Sequence, residues 1–136
     1  MSKRVRQGAT MVVALLLLPF AVACSSKASQ CEKAFAAVAN SVDGVASAHW
    51  DCSEQFGGGW QRGTVVLDVD TKAEAENVME TLLRAFAASP DLLDRWSTPQ
   101  KYTTQDPAIV VAAGSLGFNG TPRVGEVRAR FGITPG

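Results

Sequence analysis

From Val45 to Ser53 the chain alternates: Ala46, Ala48, Trp50 and Cys52 fall on one side, and Ser47, His49, Asp51 and Ser53 on the other. That period of two belongs to a half-buried strand. Gly57-Gly58-Gly59 breaks the run, and a second strand follows through Val65, Leu67 and Val69, with Asp68 and Asp70 out of phase. Two such strands with a glycine-rich connection make a hairpin. Burying both apolar sets on one face sets the register, which pairs Trp50 near Val65 and Ala48 near Leu67.

The flanking segments are helical. Over 31–42, Phe35, Val38, Ala39 and Val42 recur at helical spacing, and Asp43-Gly44 is a stop. Thr71-x-x-Glu74 is a capping box opening a helix whose apolar stripe is Ala75, Val78, Met79, Leu82, Leu83 and Phe86. Ser89-Pro90 starts a further short helix carrying Leu92, Leu93 and Trp96. The run Ala108 to Ala113 is apolar on both sides and reads as a central strand. Thr121-Pro122 opens a last helix, with Val124, Val127 and Phe131 inward and Gly132 at its stop. The order α-β-β-α-(short α)-β-α implies an α+β fold: one domain over 31–136, a three-stranded sheet with helices packed on one face. The helix between the second and third strands is a crossover, right-handed if those strands are parallel.

The first 23 residues stand apart. Lys3, Arg4 and Arg6 precede a run from Ala9 to Ala23 of 15 residues, which contains Leu15-Leu16-Leu17-Leu18 and Pro19. A bilayer-spanning helix needs about 20 apolar residues. A basic start, a short apolar run and small closing residues are the pattern of a removable secretory signal. Ala21-Val22-Ala23 satisfies the small-x-small rule of ordinary secretion. Together with Cys24 it also resembles the lipobox of bacterial lipoproteins, with Ala21 where those usually carry Leu. That resemblance implies diacylglyceration of Cys24 and a chain anchored on the extracytoplasmic face of the cell membrane by lipid. Two acyl chains suffice for stable anchoring, whereas one is marginal. Ser25 to Gln30 is small and polar, so residues 24–30 read as a lipidated flexible tether.

Cysteine arithmetic bears on the choice. Three cysteines are an odd number, and an odd thiol in a secreted chain calls for an explanation. Lipidation of Cys24 leaves Cys31 and Cys52 as a pair. From the Asp43-Gly44 turn, Cys31 lies roughly 20 Å back along a helix and Cys52 roughly 26 Å forward along a strand. An antiparallel helix and strand bring both to the same end. A disulfide there suits an oxidising compartment; the alternative is two free buried thiols.

Charge and motifs exclude several functions. Removing residues 1–23 takes away three basic groups and no acidic ones, so 10 Lys and Arg face 13 Asp and Glu, a net charge of −3. That argues against nucleic acid and against an electrostatic grip on anionic lipids. The single histidine, His49, would lie near Asp51, Ser47 and Asp68 on an outward face. One histidine does not make a closed metal site, and a solvated sheet face is the plain alternative. No Gly-x-Ser-x-Gly elbow is present, and Gly57-Gly58-Gly59 lacks the lysine and following helix of a phosphate loop. Neither catalysis nor a cofactor is expected. The remaining hint is aromatic: Phe56 and Trp60 flank the triple glycine, and Trp96, Tyr102 and Phe118 lie in or near irregular segments. Such residues either form a binding surface with His49 or cap a small core.

The stretch Asp43-Gly44-Val45 to Cys52, after a helix and before a hairpin return, resembles heavy-metal-associated ferredoxin-like domains. Those carry Cys-x-x-Cys before their first helix. Here Cys24 and Cys31 stand seven apart, so metal transfer is not implied. The α-β-β-α-β order, with Gly63 to Asp70 leading into a capped helix, looks like a BON domain, a small envelope module that associates with membranes or wall components. The Ala-, Val- and Gly-rich composition is similar to that of small actinobacterial lipoproteins. These resemblances imply a non-catalytic envelope lipoprotein with a protein or cell-wall partner; a surface carrier or sensor of a small ligand or metal ion is the alternative.

Overall fold

The computed structural model describes residues 26–55, 57 and 59–136; Cys24 and Phe56 lie outside the described residues. Helix α1 (Lys27–Asn40) starts where Ser26 caps it, the Ser26 hydroxyl accepting from the Ser29 N–H at 3.2 Å. Its first turn therefore takes in Lys27 to Gln30, which the sequence places in the tether. Serine is among the best residues for satisfying the orphan donors of a first turn. Phe35 and Ala39 face inward as the periodicity requires, joined by Cys31.

Strand β1 (Val45–Ser53) pairs antiparallel with β2 (Trp60–Leu67). The register differs from the expected one by two residues: Ala48 opposes Val65, and Trp50 opposes Gly63. A shift of two keeps every side chain on its face, so the alternation alone does not distinguish the two pairings. Volume does. A Cβ at position 63 would stand 2.7 Å from the Trp50 indole and 2.9 Å from Pro99 Cγ, so only a glycine leaves the indole its place. A bulge between Val45 and Ser47 turns Ala46 outward, against its expected inward position.

Helix α2 (Lys72–Ala88) begins at Thr71, whose Oγ1 accepts from the Glu74 N–H and donates to Glu74 Oε1, each at 3.1 Å. It carries the chain over to β3 (Tyr102–Thr104), which runs parallel to β2. Strand β4 (Val110–Val111) then lies antiparallel to β3 at the sheet edge. The fold is α+β, as expected, but among the described residues the mixed sheet has four strands in the order β1-β2-β3-β4 rather than three. The apolar run 108–113 is not a central strand. Only its middle pair is extended, and it ends in a 3-10 turn, Ala113–Leu116. The parallel neighbour of β2 is instead Tyr-Thr-Thr, too short and too polar to announce itself.

Residues 89–96 form turns rather than a helix. Leu92 and Trp96 are buried nonetheless. Helix α3 (Val124–Phe131) is capped at Arg123, two residues past the expected start, with Glu126 Oε1 accepting from the Arg123 N–H at 3.3 Å. It packs on α2, while α1 and α2 cover the sheet.

The core centres on Phe35, Trp50, Phe86 and Trp96. Phe35 stacks on Trp50 at 5.1 Å and 5°, and Phe86 meets both edge-on at 5.4 and 5.9 Å. Such pairs add about 0.5–1.5 kcal/mol beyond the area they bury. The Cys31–Cys52 disulfide lies beside them, with Cα atoms 6.3 Å apart. Arg128 closes the C-terminal end of α2: its guanidinium donates to the carbonyls of Ala87, Ser89 and Leu92 and pairs with Asp94. The Ala87 carbonyl, in the last turn of α2, has no partner within the helix, and the other two belong to the turn that follows. Replacing Gly63 by valine is expected to destabilise the fold by about 1–3 kcal/mol through overpacking against Trp50 and Pro99, read as a lower urea midpoint. An unchanged midpoint would refute the register argument.

Candidate binding face

Among the described residues α1 and α2 cover one side of the sheet and α3 packs on α2, while the side chains of the other face are exposed or half-buried. It presents Ser47, His49, Asp51 and Ser53 from β1, and Trp60, Arg62, Thr64 and Val66 from β2. Thr103 and Val110 continue it across β3 and β4, so Ser47, Val66, Thr103 and Val110 form one row over four strands. Trp60 and Val110 are 39% and 43% exposed, and they occupy opposite ends of the face. The Arg62 guanidinium lies 4.3 Å from the Trp60 ring centroid, a cation–π pair one strand period along β2.

The structure separates the residues that the sequence grouped as candidates. His49 and Trp60 lie on the open face. Trp96, at 3% exposed, and the fully buried Tyr102 belong to the core instead. Phe118 is half-buried against Phe131 at 5.9 Å. His49 is opposite Thr64, with Asp51 two residues on, but Asp68 is not beside it. The Asp68 N–H donates to the Gly44 carbonyl at the far end of the hairpin. Among the described residues no three His, Cys, Asp or Glu side chains gather as a metal site.

Beneath the hairpin end lies a polar link that alternation does not mark. Glu54, just past β1, accepts from Arg95 at 2.9 Å and from the Trp96 indole N–H at 3.1 Å. The Arg95 hydrogen bond holds the Glu54 carboxyl below the ordinary carboxylate range; partial burial opposes this, and the Trp96 bond and the charges of Arg95 and Lys27 reinforce it. Gln61 Oε1 accepts from the Ser97 N–H at 2.8 Å. These bonds tie the hairpin to the 94–98 turn and hold Trp96 in the aromatic core. A glutamate directly after an alternating strand was the only trace of this in the sequence.

Two buried donors, Trp50 Nε1 and Tyr102 Oη, have no hydrogen-bond partner among the described residues. Burial pushes the Tyr102 hydroxyl's pKa well up, so it stays neutral. Because β3 starts only opposite Val65, the first half of β2 has no strand on that side among the described residues. A cleft of about 170 Å³ opens there between Gln61, Arg62, Gly63, Gln100 and Lys101.

No protein-family model matches this chain, and no curated protein or solved structure matches it either. No helix among the described residues is long and apolar enough to cross a membrane.

A carboxylate depressed in the folded state contributes stability that is present above its unfolded pKa and lost as pH falls through the folded value. For Glu54 that loss begins below the ordinary value of about 4.5. Urea unfolding of wild type and Glu54→Gln at pH about 5 and about 3 is expected to show a smaller acid loss in the variant. Parallel losses in both proteins would contradict the assignment.

Proposed function

We propose that this protein is a lipid-anchored bacterial envelope lipoprotein, held at the extracytoplasmic face of the cell membrane through Cys24, whose domain is a non-catalytic binding module. The observation that carries the reading is the Cys31–Cys52 disulfide. It uses two of the three cysteines and suits an oxidising compartment. Cys24, behind its basic and apolar leader, is then the one cysteine left over, at the position where a lipobox requires it.

The exposed face of the sheet is the surface offered to an envelope protein or a wall component. It is continuous across four strands and mixes an aromatic, β-branched residues and hydroxyls. The αββα order followed by a parallel strand supports the BON-like reading of such a module. Carriage of a small ligand or metal ion has less support: among the described residues no three His, Cys, Asp or Glu side chains gather around His49 or elsewhere.

Intact mass spectrometry of protein from the membrane fraction is expected to give residues 24–136 plus a diacylglyceryl group, with Cys31 and Cys52 oxidised. Cys24→Ser is expected to lose the lipid. A photo-crosslinker at Thr64 is expected to capture a discrete envelope partner. An unmodified chain starting at Cys24 and shed into the medium would refute the anchor, and a Thr64 probe that captures nothing would refute the binding face.

A further inference from the structure

Helix α1 and strand β1 run antiparallel, so the first turn of α1 lies at the end of the sheet where β1 finishes and β2 begins. Two contacts fix this end: the Cys31–Cys52 disulfide, and Glu32 Oε2, which accepts from the Cys52 N–H at 3.0 Å. Lys27, one helical turn before Cys31, acts electrostatically on Glu54, the residue after β1. Ser26, the cap of α1, is two residues from Cys24, and two extended residues span at most about 7 Å. An acylated Cys24 therefore leaves this end of the domain no room to leave the bilayer surface.

The side chains at that end suit a headgroup layer. Trp60 opens β2 opposite Ser53 and is 39% exposed, while the other two tryptophans, Trp50 and Trp96, are only 2% and 3% exposed. An indole, apolar in body with one N–H, settles at a membrane–water interface. Arg62, over its ring, places a guanidinium where lipid phosphates lie. The nearby carboxylates are partly occupied: Glu54 by Arg95 and Trp96, Glu32 by the Cys52 N–H, while Asp51 lies opposite Arg62 in the register.

Resting on the anchor reading above, we infer that this end of the domain is a membrane-docking surface whose occupant is the lipid headgroup layer and whose interfacial residue is Trp60. The net negative charge of the mature chain supplies no long-range pull. Docking follows from tethering, which turns a weak surface contact into an intramolecular event at high effective concentration. The Val66–Thr103–Val110 row, six residues or about 20 Å along the strands from Trp60, stays in water. Only the Trp60–Arg62 end of the open face then meets the bilayer, and the rest of it, from Thr64 to that row, is free for a partner.

The test uses the full-length protein purified from membranes, with its intact mass measured first, then reconstituted into phosphatidylcholine vesicles whose acyl chains are brominated near the headgroup. Tryptophan emission should be quenched, and Trp60→Phe should remove the quenched component, leaving the unquenched emission of Trp50 and Trp96. A tryptophan introduced as Val110→Trp in the Trp60→Phe background should escape quenching. Lipid present on Cys24 with Trp60 emission unquenched overturns the docking alone. Equal quenching at positions 60 and 110 overturns the orientation. A Cys24 without lipid overturns the anchor reading and the docking with it.

Discussion

The clamp between α1 and β1 is the constraint on which the rest of the architecture depends. It combines a covalent bond, Cys31–Cys52, with a packing contact a helical turn further along α1, where Phe35 lies flat on Trp50. The disulfide closes a loop between residues 21 apart, a constraint on the unfolded chain of about 3 kcal/mol in the loop-entropy account. A domain of roughly 110 residues buries a modest core, and such a staple is a large fraction of typical net stability. The stack then sets the register. Trp50 lies across the hairpin only because residue 63 has no side chain, and the same indole receives the edge of Phe86 from α2.

From that clamp the layout of the surface follows. Since α1 takes the inner face of β1, the outer face stays exposed or half-buried among the described residues, and its side chains are mostly polar or β-branched residues that tolerate water on one side of an antiparallel pair. The Glu54 link to Arg95 and Trp96 draws the 94–98 turn beneath the hairpin end, and the bridge from Ser97 to Arg123 passes that order on to the start of α3. The helical back, the membrane end of the open face and the remainder of that face are thereby separate regions of one small domain. Their separation is what makes a lipid anchor at one end and a partner on the face geometrically compatible.

Much of this was legible in the residues. Alternation at Ala48, Trp50 and Cys52 marked β1, the Thr71–Glu74 pair marked α2, and Gly132 marked the end of α3. The pairing of Cys31 with Cys52 followed from counting rises along a helix and a strand. What was not legible depended on contacts distant in sequence. A two-residue register shift leaves the hydrophobic pattern unchanged, so only the width of Trp50 against Gly63 distinguishes the pairings. Strand β3 is recognisable only by its neighbours, because Tyr102 and Thr104 are buried by β2, β4 and α2 rather than by any pattern of their own. The apolar run 108–113 misled because apolar residues at a sheet edge can be buried from one side by a helix. Among the aromatics, spacing did not separate Trp96 and Tyr102 in the core from Trp60 on the surface. Arg128, which closes α2 from 40 positions further along, left no local sign at all.

Native-state hydrogen exchange of the oxidised and the reduced protein tests the clamp most directly, since exchange reports the free energy of each local opening. On reduction, the amides of α1 and β1 should lose protection together, while those of α2 from Met79 to Phe86 keep theirs. Protection in α1 that is unchanged by reduction would contradict the account, because α1 would then be held without the covalent tie to β1.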